Sequence, residues 1–223
     1  MTLQATPATP GALVVDTDTK LTPYMLDGLE LADYNGQRCK AIGRYVGLSQ
    51  NGGHDIDQAE LEAITSRDLA CFLIQHVRYP GWSPSGQLGA ADGASAARNA
   101  RAAQYAEGCH LFCDLEGVPP GTPAQYVIDY CDAWSAAVRG SYEPALYVGY
   151  QAILSPEQLW ELPDFHLYAR DSGPRVVAHR GVAWSQFRLD VMFGGVKVDL
   201  GTVSADMLGS SMLWCAAGPG DVA

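Results

Sequence analysis

Eight short apolar runs, each five to seven residues long, recur along this chain, and longer segments of helical period separate most of them. They read as strands over Ala12–Asp16, Ala41–Val46, Ala70–His76, Cys109–Asp114, Ala145–Gly149, Phe165–Ala169, Val182–Phe187 and Val196–Leu200. Runs this short and this continuously apolar suit strands buried on both faces. The spacing predicts helices over Pro23–Tyr34, Ile56–Thr65, Ala90–Ala106, Pro123–Val138, Pro156–Trp160 and, near the end, Asp206–Met212. Thr22 and Ser155 stand as N-caps ahead of a proline at the first helical position. Strands alternating with helices predict an α/β fold, a parallel sheet with right-handed crossovers.

Two closures satisfy that alternation: a single TIM-like (β/α)8 barrel or an open doubly wound sheet. No Gly-x-Gly-x-x-Gly follows the first strand, and no Gly-x-x-x-x-Gly-Lys-Ser/Thr occurs anywhere, which removes the usual reason for an open nucleotide-binding sheet. A barrel is therefore expected. At 223 residues it lies near the small end for that architecture, so some helices must be short or missing. The stretch Arg170–Arg180 lacks apolar periodicity and is one such place. The expected organisation is a flexible lead-in over 1–11, one barrel domain over 12–214, and a tail over 215–223.

The expected strand ends carry acids. Asp114 and Glu116 are two residues apart where an apolar run gives way to Gly117-Val118-Pro119-Pro120, so they share one face at the carboxyl end of a strand. That edge is where α/β barrels hold their chemistry. Strand one ends in Asp16 and is followed by Asp18, and strand eight ends around Asp199. In a closed barrel the first and last strands are neighbours, which brings Asp16 and Asp199 together. Carboxyls crowded this way raise one another's pKa, and one should stay protonated near neutral pH. A protonated acid beside ionised ones is what glycosidic cleavage requires. Two other readings stand beside this one. Asp at a strand-to-loop junction commonly caps a turn, and Asp16, Asp18, Glu116 and Asp199 are oxygen ligands of the kind a Mg²⁺ or Ca²⁺ ion takes.

Aromatic residues accompany the acids. Tyr45, Tyr147, Tyr168 and Trp184 fall at expected strand ends, with Tyr79 and Trp82 in the loop after strand three. Their rings suit the apolar faces of sugars, and Gln186 suits hydroxyl recognition. Asp18, Tyr45, Tyr147, Tyr168, Trp184 and Gln186 are thus the candidate substrate contacts. Arg44 and Arg188 are expected to pair with nearby acids.

Charge and cysteine content narrow the partners. Acidic residues number 25 against 14 basic ones, a net charge of −11 with no basic stripe, which argues against nucleic acid. No 18-residue apolar run offers a membrane span. Of the six cysteines, Cys71, Cys109, Cys113 and Cys131 lie in apolar or helical segments, while Cys39 and Cys215 are expected near the surface. Cys109, His110 and Cys113 have no second Cys/His cluster to complete a metal site, so no metal or other cofactor is expected.

The chain resembles the glycoside-hydrolase-like barrel domain of unknown function found in bacterial, especially actinobacterial, cell-envelope and secreted proteins. That domain is itself similar to family 25 glycoside hydrolases, the Chalaropsis-type lysozymes. The stretches that carry the likeness are Val15-Asp16-Thr17-Asp18, Gly43-Arg44-Tyr45-Val46-Gly47, Phe112-Cys113-Asp114-Leu115-Glu116-Gly117, Leu146-Tyr147-Val148-Gly149-Tyr150 and Lys197-Val198-Asp199-Leu200, and it spans about residues 12 to 214. The resemblance implies a lysozyme-like active site of Asp16, Asp114, Glu116 and Asp199. Glu116 would be the proton donor, and Asp114 would stabilise the cation or orient the substrate N-acetyl group. The implied partner is peptidoglycan or a related glycan. In strand two, Arg44-Tyr45-Val46-Gly47 replaces the lysozymes' Lys-Ala-Thr-Glu-Gly-like run. Residues 1–10 lack the charged and apolar regions of a signal peptide. The chain is therefore expected to be cytoplasmic at synthesis; a wall substrate then requires a dedicated secretion or lysis system, the favoured reading, or a leader already removed, and otherwise the substrate is not the wall.

Overall fold

The computed structural model describes residues 2–47, 54–76, 78–173 and 177–218. Its elements run β1 (Leu3–Pro7), β2 (Leu13–Asp16), α1 (Pro23–Leu31), β3 (Asp33–Tyr34), β4 (Gln37–Val46), α2 (Gln58–Thr65), β5 (Ala70–Gln75), α3 (Gly86–Ala102), β6 (His110–Leu115), α4 (Ala124–Val138), β7 (Glu143–Val148), α5 (Pro156–Trp160), β8 (Tyr168–Arg170), β9 (Trp184–Phe193), β10 (Val196–Val203) and β11 (Leu213–Ala217).

Eight strands close a barrel in the order β2, β4, β5, β6, β7, β8, β9, β10 and back to β2. From β2 to β9 the pairings are parallel. The expected barrel is present, with two differences. The last strand is antiparallel to both neighbours, β9 and β2. Phe193-Gly194-Gly195-Val196 makes a two-residue hairpin turn whose glycines have φ of 58° and 83°, the left-handed conformation such turns demand. Helices are also lost late in the barrel: α5 has five residues, and among the described residues none follows β8 or β9.

Every described helix but α4 starts at a capping side chain. The hydroxyl of Thr22 accepts the Met25 N–H, Asp57 caps α2 and Ser85 caps α3. Ser155 and Gln158 form a reciprocal capping box on α5. The segment Asp206–Met212 is not the expected helix. The Asp206 carboxylate binds the N–H groups of Leu208 and Ser210 and makes an ion pair with Arg180, so the chain turns there instead.

Both chain ends also depart from expectation. Leu3–Pro7 pairs with Leu213–Ala217 as a two-stranded antiparallel ribbon, where a loose lead-in and a tail were expected. The ribbon lies against the amino end of β5 and β6 through Cys215, paired with Cys71, and through the Leu213 N–H, which donates to His110 Nδ1 at 2.8 Å. Met212 and Trp214 fill the barrel floor.

Alternation along the strands sorts the side chains into two layers. One set, among them Leu13, Val15, Ile42, Leu73, Leu111 and Leu146, packs outward against the helices. The other, including Val14, Ala41, Phe72, Ile74, Phe112, Tyr147, Ala169 and Trp184, fills the barrel lumen. The lumen pairs large with absent side chains. A Cβ on Gly43 would strike the Phe72 ring, and one on Gly201 would strike the Trp184 indole. Phe72, Phe112 and Trp184 pack edge to face, with centroids 4.9 to 6.1 Å apart. This aromatic plug is the floor beneath the acids.

Candidate active site

Asp16 ends β2, and its Cα partner across β10 is Asp199. Although β10 runs opposite to the expected direction, its middle reaches the carboxyl face, so the two acids meet there. The Gln186 amide nitrogen donates to Asp16 Oδ1 at 3.0 Å and to Asp199 Oδ2 at 3.3 Å, while its carbonyl accepts the Tyr147 hydroxyl at 2.8 Å. The Tyr45 hydroxyl donates to the other Asp16 oxygen at 3.3 Å. Asp199 has a structural task as well: its Oδ1 accepts the N–H of Asp190, which has φ of 55° at a register break in the β9–β10 ladder. Bulges of this kind recur beside active sites, where they re-aim side chains.

The alternation that puts Asp114 and Glu116 on one face holds, since Asp114 faces the lumen end while Cys113 and Leu115 pack in the outer layer. Backbone contacts from two neighbouring loops fix Glu116. The Trp82 indole donates to the Glu116 carbonyl at 2.8 Å, and the Gly117 N–H donates to the Tyr150 carbonyl at 3.0 Å. A Cβ at residue 149 would overlap the Glu116 carboxylate, so Gly149 is what makes room for that side chain.

Burial sets the protonation of this group. Asp16 is pushed up to about 8, first by burial and then by the Asp199 charge, against the hydrogen bonds from Gln186 and Tyr45. Asp114 is also raised well above the carboxylate range, by burial and then by Glu116 and Asp16. Its Oδ1 is buried and has no hydrogen-bond partner among the described residues. Burial raises Asp199 too. At neutral pH the face therefore holds a neutral Asp16, beside carboxyls whose ionisation burial opposes.

The remaining expectations divide. Tyr147, Gln186 and Tyr45 join the acids as hydrogen-bonding supports. Trp184 is fully buried beneath them as floor, with an indole N–H that lacks a partner among the described residues. Asp18 is exposed at the rim. Tyr168 does not join them: it lies in the outer layer, and its hydroxyl bonds the Leu159 carbonyl at 2.5 Å. Arg44 does not pair with the strand-end acids. It is fully buried against Glu60 at 2.7 Å and bonds the carbonyls of Thr17 and His54, while Glu60 also accepts the Leu21 N–H. The pair thus pins the loop that leaves Asp16. Arg188 is exposed, and Cys39 and Cys215, expected near the surface, are buried.

Two residues passed over in the sequence stand at this face. The half-exposed Tyr150 lies near Glu116 and Asp114, whose charges add to burial in raising its pKa. The His76 ring lies 5.0 Å from that of Tyr45. Both follow a strand's last residue on the carboxyl side, a positional signal like that of the acids. A groove of about 980 Å³ opens at the opposite end of the barrel, between the terminal ribbon and the start of β4. Its acids, Asp33 and Asp68, are exposed, and none of the strand-end acids reaches it. The strand-end acids therefore gather at the carboxyl face, away from that groove. Among the described residues no group of three His, Cys, Asp or Glu side chains has the spacing to hold a metal ion.

Solved structures of similar fold cover almost the whole chain. The Tat-secreted protein Rv2525c of Mycobacterium tuberculosis aligns with a TM-score of 0.64 at 12% identity, over 87% of this chain and 96% of that one. A lysozyme from Streptomyces coelicolor aligns with a TM-score of 0.55 at 13% identity, over 88% and 93%. A muramidase from Trichobolus zukalii gives 0.57 at 12% identity, over 86% and 93%. No curated protein sequence matches the chain. The model of one family matches residues 34–200, a span that starts in β3 and ends just past Asp199, with Asp114 and Glu116 inside it. By that match the chain belongs to the Rv2525c-like, glycoside hydrolase-like domain family.

Proposed function

We propose that the carboxyl face cleaves β-1,4 bonds of an amino-sugar glycan, peptidoglycan foremost. Glu116 gives its proton to the leaving oxygen, and Asp114, whose buried oxygen is open to a ligand N–H, orients the N-acetyl group. Asp16 and Asp199, held by Gln186, complete the pocket. The observation that carries this reading is the Asp114–Glu116 pair at one strand end, with an Asp114 oxygen buried and without a partner among the described residues. A buried acceptor left open this way is costly unless a ligand N–H or O–H meets it. The lysozyme and muramidase folds among the similar structures lend support. General acid catalysis contributes about 10²- to 10⁴-fold. Glu116→Gln should therefore reduce the release of reducing ends from purified cell walls by at least about 100-fold, and Asp114→Asn should lower it steeply. Unchanged turnover in both variants would reject the assignment.

A second reading, wall-glycan binding without turnover, draws on the raised Asp16 and Asp114, which leave the cleft poor in ionised carboxylates at neutral pH. It expects saturable binding to insoluble peptidoglycan with no release of reducing ends. The hard-cation reading gets no support from the arrangement of the described acids. The site of action in this reading is the cell wall, reached by a dedicated delivery route. None of the described helices is long and apolar enough to cross a membrane.

A further inference from the structure

Three of the six cysteines converge at the amino end of the barrel, away from the acids. Cys71 of β5 and Cys215 of β11 are direct partners across an antiparallel pair, and Cys109 immediately precedes β6. All three are buried in the same outer-layer cluster. The Cys109 and Cys215 side chains lie within hydrogen-bonding reach of each other. Cys71 instead directs its thiol at the Phe72 carbonyl, at 3.9 Å.

We propose that Cys109 and Cys215 are a latent disulfide that closes in an oxidising compartment and staples the terminal ribbon to the barrel. The place is mechanically apt. Among the described residues the ribbon pairs internally over five positions but with β5 at one, so few backbone bonds tie β11 to the barrel wall. That release exposes the thiols to a small disulfide oxidant. Cys215, carried on the ribbon that lifts away, meets the oxidant first. Cys215 thiolate attacks one sulfur of the oxidant and expels a thiolate. Cys109 then attacks the mixed disulfide at Cys215 and expels the second thiol. Two protein thiols and one small disulfide give one protein disulfide and two small thiols.

The test uses the full-length chain incubated with oxidised glutathione, followed by denaturation, alkylation and peptide mass analysis. The expected result is a fall from six alkylatable thiols to four, with a cross-linked peptide joining Cys109 to Cys215. The thermal midpoint should rise by about 5–15 °C, as expected for closing a loop of roughly 100 residues, and dithiothreitol should reverse the rise. Cys71→Ala should oxidise normally, whereas Cys109→Ala should not. Six persisting thiols, a cross-link through Cys71, or an unchanged midpoint after closure would overturn the proposal.

Discussion

Asp16→Asn should make this protein more stable at neutral pH. Asp16 titrates near 3.8 in the unfolded chain and at about 8 in the folded one. Between those values the native state holds a proton that the unfolded state has given up, so stability falls as pH rises, by about 1.4 kcal/mol per unit. From 3.8 to 7 the loss comes to about 4 kcal/mol, and it levels off near 6 kcal/mol above pH 8. This is a large share of the 5–15 kcal/mol typical of a domain. Asparagine keeps the shape and cannot ionise. Its Oδ1 still accepts from Gln186, and the Tyr45 hydroxyl rotates to accept from the new amide. The stability difference between variant and wild type should be near zero at pH 4 and about 4 kcal/mol at pH 7, or roughly 8–16 °C in melting midpoint. Urea titrations followed by tryptophan fluorescence at pH 4, 5.5, 7 and 8.5 measure it directly. Parallel pH profiles for the two proteins would refute the reasoning, because they would mean that Asp16 is ionised in the native state.

Gly149→Ala tests the placement of Glu116 without altering any acid. The new methyl must displace the Glu116 carboxylate, so wall hydrolysis should fall at least about tenfold, within the range seen for misplaced catalytic groups, while the fold is retained. Full activity would show that the carboxylate position does not matter. His110 should make the ribbon acid-sensitive. Burial depresses its pKa from 6.5 to about 4, so the unfolded chain takes up the proton first as pH falls through that window. Stability should drop by up to about 3 kcal/mol between pH 6.5 and 4, and His110→Asn should flatten the drop. An identical acid profile in the variant would remove His110 as the cause.

Much of the barrel was written in the order of apolar runs, because a buried parallel strand has to be apolar on both faces and a crossover helix has to carry an amphipathic stripe. The positions of Asp16, Asp114 and Glu116 followed from the same pattern, since a strand's last residues project at the carboxyl face. The antiparallel last strand was legible too, in Gly194-Gly195, but two strands read separately concealed the hairpin between them. Tyr168 shows where period alone fails. In a three-residue strand, a phase error of one residue turns the ring from the lumen to the helices, and only packing fixes the phase. Leu3–Pro7 carries little strand signal of its own and becomes a strand because Leu213–Ala217, over two hundred residues away, supplies its hydrogen bonds.

The sequence by itself determined which acids exist and which strand ends carry them. Tertiary structure alone decided their chemistry. Gln186 joins Asp16 to Asp199 only once the barrel closes, and Gly149 becomes room for Glu116 only once β6 and β7 lie side by side. The proton on Asp16 depends on water being excluded from every side of a carboxyl that also faces a second acid. A local stretch of sequence encodes no solvent exclusion, because the atoms that displace the water come from strands far apart in the chain.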